Sequence, residues 1–178
     1  METAVSAPDD SILVDGLTIG PARADEMDSI CAIAKVAWEP IHESMVDDIG
    51  ADIHEAIVGD WRARKAGQIR RQYEAHSDRV LAVRDGNDVA AFVTFSVDQE
   101  RSPGGILNNA VGVGYQGKGI GTAMYKHVLN LFRAAGMKYA SVGTGLDRGH
   151  APARKAYERA GFDLNREDVA YYQKLGKS

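Results

Sequence analysis

The chain has 178 residues, of which 44% are hydrophobic and 26% are charged, so its length suits one domain with a substantial core. Its 21 basic and 25 acidic residues give a formal charge of −4, which argues against non-specific nucleic-acid binding because that needs a basic face. The single cysteine, Cys31, excludes an internal disulfide, and its apolar surroundings predict a buried, inert thiol rather than a reactive one.

The first ten residues are polar and acidic, and we expect residues 1–10 to form a disordered tail before one domain over residues 11–178. The sequence contains neither the basic and apolar regions of a signal peptide nor the roughly 20 apolar residues of a membrane span. We therefore expect a cytoplasmic protein with no membrane partner.

The N-terminal half is predicted to hold one strand followed by helices. Apolar residues recur three and four apart in the helical part, which is the spacing of an amphipathic helix. The predicted strand covers residues 12–19, and the predicted helices cover residues 24–38, 52–66 and 68–76. Pro40 is expected to end or kink the first helix because its ring does not fit a helix interior.

The C-terminal half combines strands and helices. Strands are predicted over residues 79–84, 89–97, 106–113 and 138–144, with a hairpin turn at 85–88 and final strands at 162–164 and 169–175. Helices are predicted over residues 122–135 and about 152–160. Hairpin strands followed by strand–helix–strand predict an α/β (α+β) fold. Its mixed central sheet is antiparallel in the N-terminal half and parallel later, with helices on both faces.

Residues 110–122 join a predicted strand to a predicted helix and read AVGVGYQGKGIGT. The glycines at 117, 119 and 121 remove Cβ atoms where a ligand's phosphates would need to contact the backbone. The helix start adds unpaired N–H groups and the positive end of its dipole, which together make an anion site. The spacing fits neither the dinucleotide fingerprint nor the phosphate loop of nucleotide hydrolases. Taken alone, the loop could also be a turn that binds nothing.

The run Gln116-Gly117-Lys118-Gly119-Ile120-Gly121 resembles the Q/R-x-x-G-x-G/A motif of the GNAT superfamily of N-acetyltransferases. Residues 153–162, ARKAYERAGF, are similar to the family's A-x-x-x-Y-x-x-x-G-F helix, and Val111 stands where its fourth strand ends in valine. The resemblance is firm over residues 79–162. It implies a GNAT-like fold and the transfer of an acetyl or other acyl group from acetyl-CoA to a primary amine in a ternary complex.

The resemblance also implies a set of residues that bind coenzyme A. The backbone near Val111 and Val113 would hydrogen-bond the pantetheine arm as an added strand does, and the amides of the glycine loop would hold the pyrophosphate. The residues assigned to the cofactor are Val111, Gly112, Val113, Gln116, Gly117, Lys118, Gly119, Ile120, Gly121, Thr122, His150, Ala153 and Tyr157.

Three residues are candidates for catalysis. Tyr157 stands at the family's tyrosine, whose hydroxyl would protonate the departing thiolate; a tyrosine packed on the sheet is the alternative. Asn109 lies where many relatives have a glutamate. It could orient a water or bind substrate, or be a plain strand residue. His150 replaces the family's asparagine and could contact the pantetheine arm, act as a base, or cap a helix.

The region after the first predicted helix lines the acceptor site in the family, so Trp38, His42 and Glu43 are candidate substrate-binding residues. The histidines show no metal-ligand spacing, so no metal is expected. The expected partner is a small-molecule or peptide amine, and a homodimer is common among relatives. Because the strand glutamate is missing, a non-catalytic acyl-CoA sensor or interaction module is the alternative function. An unrelated nucleotide-binding enzyme is a third.

Overall fold

The structure is a computed structural model that describes residues 10–98, 100–101 and 103–176. Its centre is a six-stranded sheet in which the strands follow their chain order from one edge to the other. The strands are β1 (Ser11–Val14), β2 (Leu17–Pro21), β3 (Val80–Asp85), β4 (Asp88–Val97), β5 (Pro103–Val111) and β6 (Tyr139–Val142). The helices are α1 (Met27–Ile49), α2 (Ala51–Val58), α3 (Trp61–Ala75), α4 (Ile120–Ala134) and α5 (Ala151–Ala160).

The first five strands form the antiparallel half of the sheet that the sequence predicts, although the single strand predicted over residues 12–19 is a pair, β1 and β2. The predicted hairpin turn joins β3 to β4, where Asp85 pairs with Asp88. Gly86 has a φ of +59° in this turn, a left-handed conformation that glycine adopts without steric cost. Most residues of β3 and β4 are buried, which explains why their sequences are apolar on both faces.

The parallel half consists of β5 and β6, which separate soon after they begin. Their pairing runs from Pro103 with Tyr139 to Ile106 with Val142, and β5 then continues without β6 to Val111. This mixed sheet confirms the predicted fold class.

Each face of the sheet carries a hydrophobic core. On one face, the Phe132 ring of α4 meets Phe95 of β4 edge-on at 5.7 Å. An added Cβ at Gly104 would lie 2.5 Å from the Phe132 ring, so the close packing of α4 on β5 requires glycine there. On the other face, α1 and α3 pack on the sheet with Ile69 fully buried. Cys31 of α1 is buried, as predicted, and burial raises the pKa of its thiol.

The three helices between β2 and β3 differ in their limits from the prediction. Pro40 does not end α1, which continues to Gly50, where a φ of +86° breaks the helix. The predicted helix over residues 52–66 is interrupted at Gly59, which has a φ of +59°. The Asp60 carboxylate then accepts a backbone N–H of the first turn of α3 at 3.0 Å and so starts a new helix.

The predicted final strands over residues 162–164 and 169–175 are wrong, because the described residues 162–176 contain no strand. Leu164 and Tyr171 are 91% and 92% exposed. The valine and tyrosine residues of this segment favour strands, but a strand forms only beside a hydrogen-bonding neighbour. In the described part of the chain, β6 is the last strand of the sheet and nothing pairs with its outer edge.

Asp10 is the first described residue, so most of the predicted tail over residues 1–10 lies outside the described residues. Its carboxylate accepts a hydrogen bond of 2.8 Å from Arg84, which is buried and also paired with Glu26. In the part of the chain that the structure describes, no helix is both long and apolar enough to cross a membrane.

Candidate active site

The separation of β5 from β6 opens a cleft of about 990 Å³ between α1 on one side and α4 and α5 on the other. The second half of β5, the glycine loop, Gly143 and residues 148–150 complete its lining. The basic residues Arg148, Lys155 and Arg159 line the cleft, and no described lining residue carries a carboxylate. The cleft therefore favours an anionic ligand.

The free edge of β5 presents main-chain groups to this cleft. Gly112 donates its N–H to the Ala90 carbonyl at 2.8 Å, and the Asn108 N–H donates to the Thr94 hydroxyl at 3.0 Å, both on the β4 side. Because alternate residues of a strand point their N–H and C=O groups to opposite sides, those of Asn109 and Val111 face the cleft. An extended ligand with amide groups can add here as a strand would.

The glycine loop continues this edge to the start of α4. Gly117 and Gly119 have φ of +77° and +78°, which glycine adopts without the steric cost a side chain brings. The first intrahelical bond of α4 runs from the Ala123 N–H to the Gly119 carbonyl at 3.0 Å. The amides of residues 120–122 therefore have no partner within the helix. Together with the helix dipole they form an anion site.

Tyr157 of α5 and Asn109 of β5 meet at the base of the cleft beside Tyr125 of α4. Asn109 Nδ2 lies 3.1 Å from the Tyr157 hydroxyl and 3.1 Å from the Leu107 carbonyl, and the Tyr125 hydroxyl donates to Asn109 Oδ1 at 2.7 Å. Both amide hydrogens of Asn109 are then used as donors. Since the Tyr157 hydroxyl accepts one of them, its own proton can be donated either to Asn109 Oδ1, which lies 3.2 Å away, or towards the cleft.

Burial determines the protonation of the two tyrosines. It raises the pKa of Tyr157, although the hydrogen bonds with Asn109 and Tyr125 act in the opposite direction. Burial also raises the pKa of Tyr125 well above that of a free phenol, and the neighbouring Tyr157 adds to the effect. Both hydroxyls are therefore protonated at neutral pH and can act as proton donors.

His150 also lines the cleft, at the N-terminal end of α5. Its Nδ1 lies 2.5 Å from one carboxylate oxygen of Asp147, and its backbone N–H donates to the other at 3.1 Å. Arg154 donates from one nitrogen to the carbonyls of Gly145 and Asp147, at 2.6 and 2.9 Å. The loop before α5 is thus tied to the first turns of that helix.

The structure brings most of the predicted site residues together. All residues assigned to the cofactor line the cleft except Lys118, whose ammonium group donates to the Gly114 carbonyl at 3.2 Å. Trp38 of α1 lines the opposite wall. His42 and Glu43 are not among the lining residues, and their role in substrate binding stays a prediction.

His42 belongs to a separate cluster where α1, α2 and α3 meet. Its ring stacks on Trp61 at 4.1 Å, and its Nδ1 lies 3.0 Å from His54 Nε2. Burial, followed by repulsion from His54 and the cations Lys65 and Arg62, lowers the pKa of His42 to about 4. The described residues contain no group of three or more metal-ligating side chains.

The sequence analysis missed Tyr125, Asp147 and the cleft residues Leu107 and Ile41. Tyr125 could have been found, because it lies four residues after Gly121 and so on the same side of α4 as the loop. Asp147 stands three residues before His150, but nothing in the sequence shows that the intervening loop turns one residue back onto the other.

The sequence of residues 41–162 matches the family model described as acetyltransferase (GNAT) family. This range covers more than half of the 178 residues and contains β3 to β6, the glycine loop and Tyr157. No curated protein sequence matches the chain.

Solved acetyltransferases have a similar fold. PaiA N-acetyltransferase from Thermoplasma acidophilum, in complex with coenzyme A, gives a TM-score of 0.66 at 12% identity over 85% of this chain and 92% of that chain. Ard1 from Thermoplasma volcanium gives 0.63 at 17% identity over 84% of each chain. The AAC(6')-Iy complex with the bisubstrate analog CoA-S-monomethyl-acetylneamine gives 0.56 at 12% identity over 89% of this chain and 99% of that chain.

Proposed function

The chain belongs to the acetyltransferase (GNAT) family, and from this premise we propose that it transfers an acyl group, most simply acetyl, from acetyl-CoA to a primary amine by direct attack. It is an acyltransferase whose second substrate is an amine. The proposal takes residues 11–178 as one N-acetyltransferase domain that works without a metal.

The observation that carries the proposal is the continuous line of main-chain donors along β5 and the glycine loop. The groups of Asn109 that face the cleft fit the amides of a pantetheine arm, together with the Val111 carbonyl, which also accepts from Gln116 Nε2 at 3.1 Å, and the amides of residues 120–122 fit a pyrophosphate. When bound, acetyl-CoA supplies a thioester, whose carbonyl carbon accepts the amine. The amide of Val111 then donates to the thioester oxygen as negative charge develops there.

Tyr157 acts as the acid for the departing sulfur. Its hydroxyl is protonated and is held by the Asn109 amide, and its proton turns from Asn109 Oδ1 to the sulfur when the thiolate departs. Asn109 and Tyr125 position this hydroxyl rather than take part in proton transfer. The main contribution of the protein is to align the amine with the thioester.

The acceptor amine enters from the wall formed by α1, where Trp38 lines the cleft. Since no described lining residue is a carboxylate, polycationic acceptors have no ionic partner in the cleft itself. Neutral or anionic amines, such as amino acids or the N-termini of peptides, fit this lining better.

The experiment that tests the function uses the purified protein. Calorimetric titration with coenzyme A measures binding, and thiol release from acetyl-CoA with a panel of amino acids, peptides, diamines and aminoglycosides measures transfer. Binding together with amine-dependent thiol release supports the proposal. Absence of binding at millimolar coenzyme A would contradict it, and binding without turnover on the whole panel would indicate the sensor instead.

A further inference from the structure

We propose that Asp147 is a positioning residue that holds His150 as the general base for the attacking amine, an inference that rests on the proposed acyl transfer. The family resemblance leaves the base unassigned because Asn109 stands where a glutamate is common. Asp147 lies in the loop before α5, and His150, at the N-terminal end of that helix, lines the cleft.

The loop is built around this pair. Both carboxylate oxygens of Asp147 contact His150, one at the ring and one at the backbone N–H. A Cβ added to Gly145 would lie 2.4 Å from the Asp147 carboxylate and 2.6 Å from His150 Nδ1, and one added to Gly149 would lie 3.0 Å from the same carboxylate. The contact therefore depends on glycine at both positions. Arg154 holds the loop in place by donating to the carbonyls of Gly145 and Asp147.

The carboxylate determines which ring nitrogen carries the proton. Burial raises the pKa of Asp147, but the hydrogen bonds from His150 and Gly149, with the charge that the His150 ring carries when protonated, outweigh it and lower the pKa below its usual value. An ionised carboxylate only accepts hydrogen bonds, so Nδ1 of the neutral imidazole is the protonated nitrogen. The lone pair is then on Nε2, the nitrogen that Asp147 leaves free.

In this proposal His150 acts on the attacking amine and Tyr157 acts on the departing sulfur. They are seven residues apart, close to two helical turns, so they lie on the same face of α5 about 10 Å apart along its axis. Long side chains of a helix lean towards its N-terminus, which brings the Tyr157 hydroxyl closer to His150. Both residues line the same cleft.

The proton balance closes with these two residues. His150 Nε2 takes the proton that the amine nitrogen loses as its bond to the acyl carbon forms. Tyr157 donates a proton to the sulfur as the carbon–sulfur bond breaks. His150 then releases its proton to water and Tyr157 regains one, so both residues return to their starting state.

The charged groups around His150 come from two elements. Its own loop contributes Asp147 and Arg148, and α5 contributes Arg154, whose nitrogen is occupied by two carbonyls, with Lys155 also lining the cleft. α1 contributes the apolar side chain of Ile41, which packs against Gly149. Asp147 is thus the anion that contacts the ring.

The test compares Asp147→Asn with the wild-type enzyme. Asparagine keeps an oxygen for the His150 backbone N–H but presents an amide N–H to Nδ1, which forces the imidazole proton onto Nε2. We expect kcat/KM to fall about 10²-fold, the usual contribution of a general base, while the Kd of coenzyme A changes less than twofold. The exposed Asp163→Asn is the matched control and should change neither quantity.

Two further readouts separate a base from a structural residue. His150→Gln should lose the acid limb of the pH–rate profile, and added imidazole should restore part of the activity of His150→Ala. In nitrogen NMR spectra, the unprotonated resonance of His150 should move from Nε2 to Nδ1 in Asp147→Asn, a measurement that does not depend on turnover.

Three results would overturn the inference. The first is Asp147→Asn with wild-type kcat/KM and pH profile, and the second is an unchanged His150 tautomer. The third is a His150→Gln variant that binds coenzyme A more weakly but keeps the wild-type kcat. That result would make His150 a contact of the pantetheine arm. A wild-type protein that neither binds coenzyme A nor releases thiol would instead remove the proposed function, and this inference with it.

Discussion

At the scale of single residues, the Asn109 amide holds the Tyr157 hydroxyl, with its nitrogen at 3.1 Å and its oxygen at 3.2 Å. The two hydrogens of the Asn109 amide are used by the Leu107 carbonyl and the Tyr157 hydroxyl. The hydroxyl therefore accepts from Asn109 Nδ2, and its own proton has Asn109 Oδ1 at 3.2 Å and the cleft as alternative acceptor directions. A glutamate at position 109 could not donate to it when ionised, so the asparagine suits a tyrosine acid although it cannot be a base.

Replacing Tyr157 with phenylalanine should lower kcat about 10²-fold, because the thiolate then leaves without a proton donor. The Kd of acetyl-CoA should stay within about threefold, since the ring still fills the base of the cleft. Stopped-flow thiol release and calorimetry measure the two quantities. The exposed Tyr171→Phe is the control, and an unchanged kcat in Tyr157→Phe would remove the hydroxyl from the mechanism.

The sequence could predict the residues whose role depends on a motif, but not those whose role depends on a contact. Tyr157 and the glycine loop follow from the resemblance, and the structure places them on one cleft. Tyr125 and Asp147 contact Asn109 and His150, and these partners are either distant in the chain or reached by a loop that turns back. No local pattern shows such a contact.

At the scale of elements, we expect the binding of coenzyme A to depend on the backbone conformation of the glycine loop. Gly119→Ala should weaken coenzyme A binding at least tenfold, because alanine disfavours a φ of +78° by about 1–2 kcal/mol and the loop amides would turn away. Gly136, with a φ of +75° at the other end of α4, provides the matched control. Gly136→Ala should lose similar thermal stability and keep the Kd, as measured by calorimetry. Equal affinities in the two variants would contradict the role of the loop.

The junction of α1, α2 and α3 should make stability depend on pH. The unfolded chain takes up a proton at His42 near pH 6.5, whereas in the folded protein its pKa is about 4. The unfolded state therefore binds more protons between these values, and stability should fall as the pH drops from 6.5 to 4. Discounted for solvent around the half-buried ring, the loss is on the order of 1 kcal/mol.

Urea unfolding of the wild type and of His42→Gln at pH 7 and pH 5 measures this dependence. The variant should lose overall stability, because the stacking on Trp61 is gone, but its stability should change less between the two pH values. The exposed His76→Gln is the control. A variant with the wild-type pH dependence would rule out His42 as its source.

Element types were easier to predict than their ends. Periodicity identified the helices and the strands β3 to β6, because burial imposes the same spacing on the sequence. The ends depend on single residues that compete with the pattern. Pro40 lies inside α1 and does not end it, and the capping carboxylate of Asp60 starts α3 within a segment whose pattern predicts one continuous helix.

At the scale of the whole molecule, the cofactor should add to the stability of the fold. A ligand that binds only the native state at 100 times its Kd stabilises it by about 2.7 kcal/mol. For a domain of this length, that corresponds to a rise in Tm of roughly 5–10 °C. Differential scanning fluorimetry with coenzyme A measures the shift, and NAD at the same ratio of concentrations provides the control. An equal shift with NAD would favour the nucleotide-binding alternative.

The order of strands along the chain was enough to predict a mixed sheet, because hairpins give antiparallel pairs and a helical crossover gives a parallel one. The order of strands was not enough to predict the conformation of residues 162–176. A strand exists only where a partner edge is available, and availability is a property of the assembled sheet rather than of the segment. The same dependence explains why the point at which β5 and β6 separate could not be derived from either strand alone.

The proposed binding of a ligand through the peptide groups of β5 has an evolutionary consequence. Every amino acid except proline supplies the same N–H and C=O, so mutations at position 111 can remodel the cleft while the main-chain contacts with the ligand are preserved. Selection on the second substrate is thereby uncoupled from selection on the first. The same fold can therefore change which amine it accepts while the main-chain contacts that bind the thioester stay unchanged.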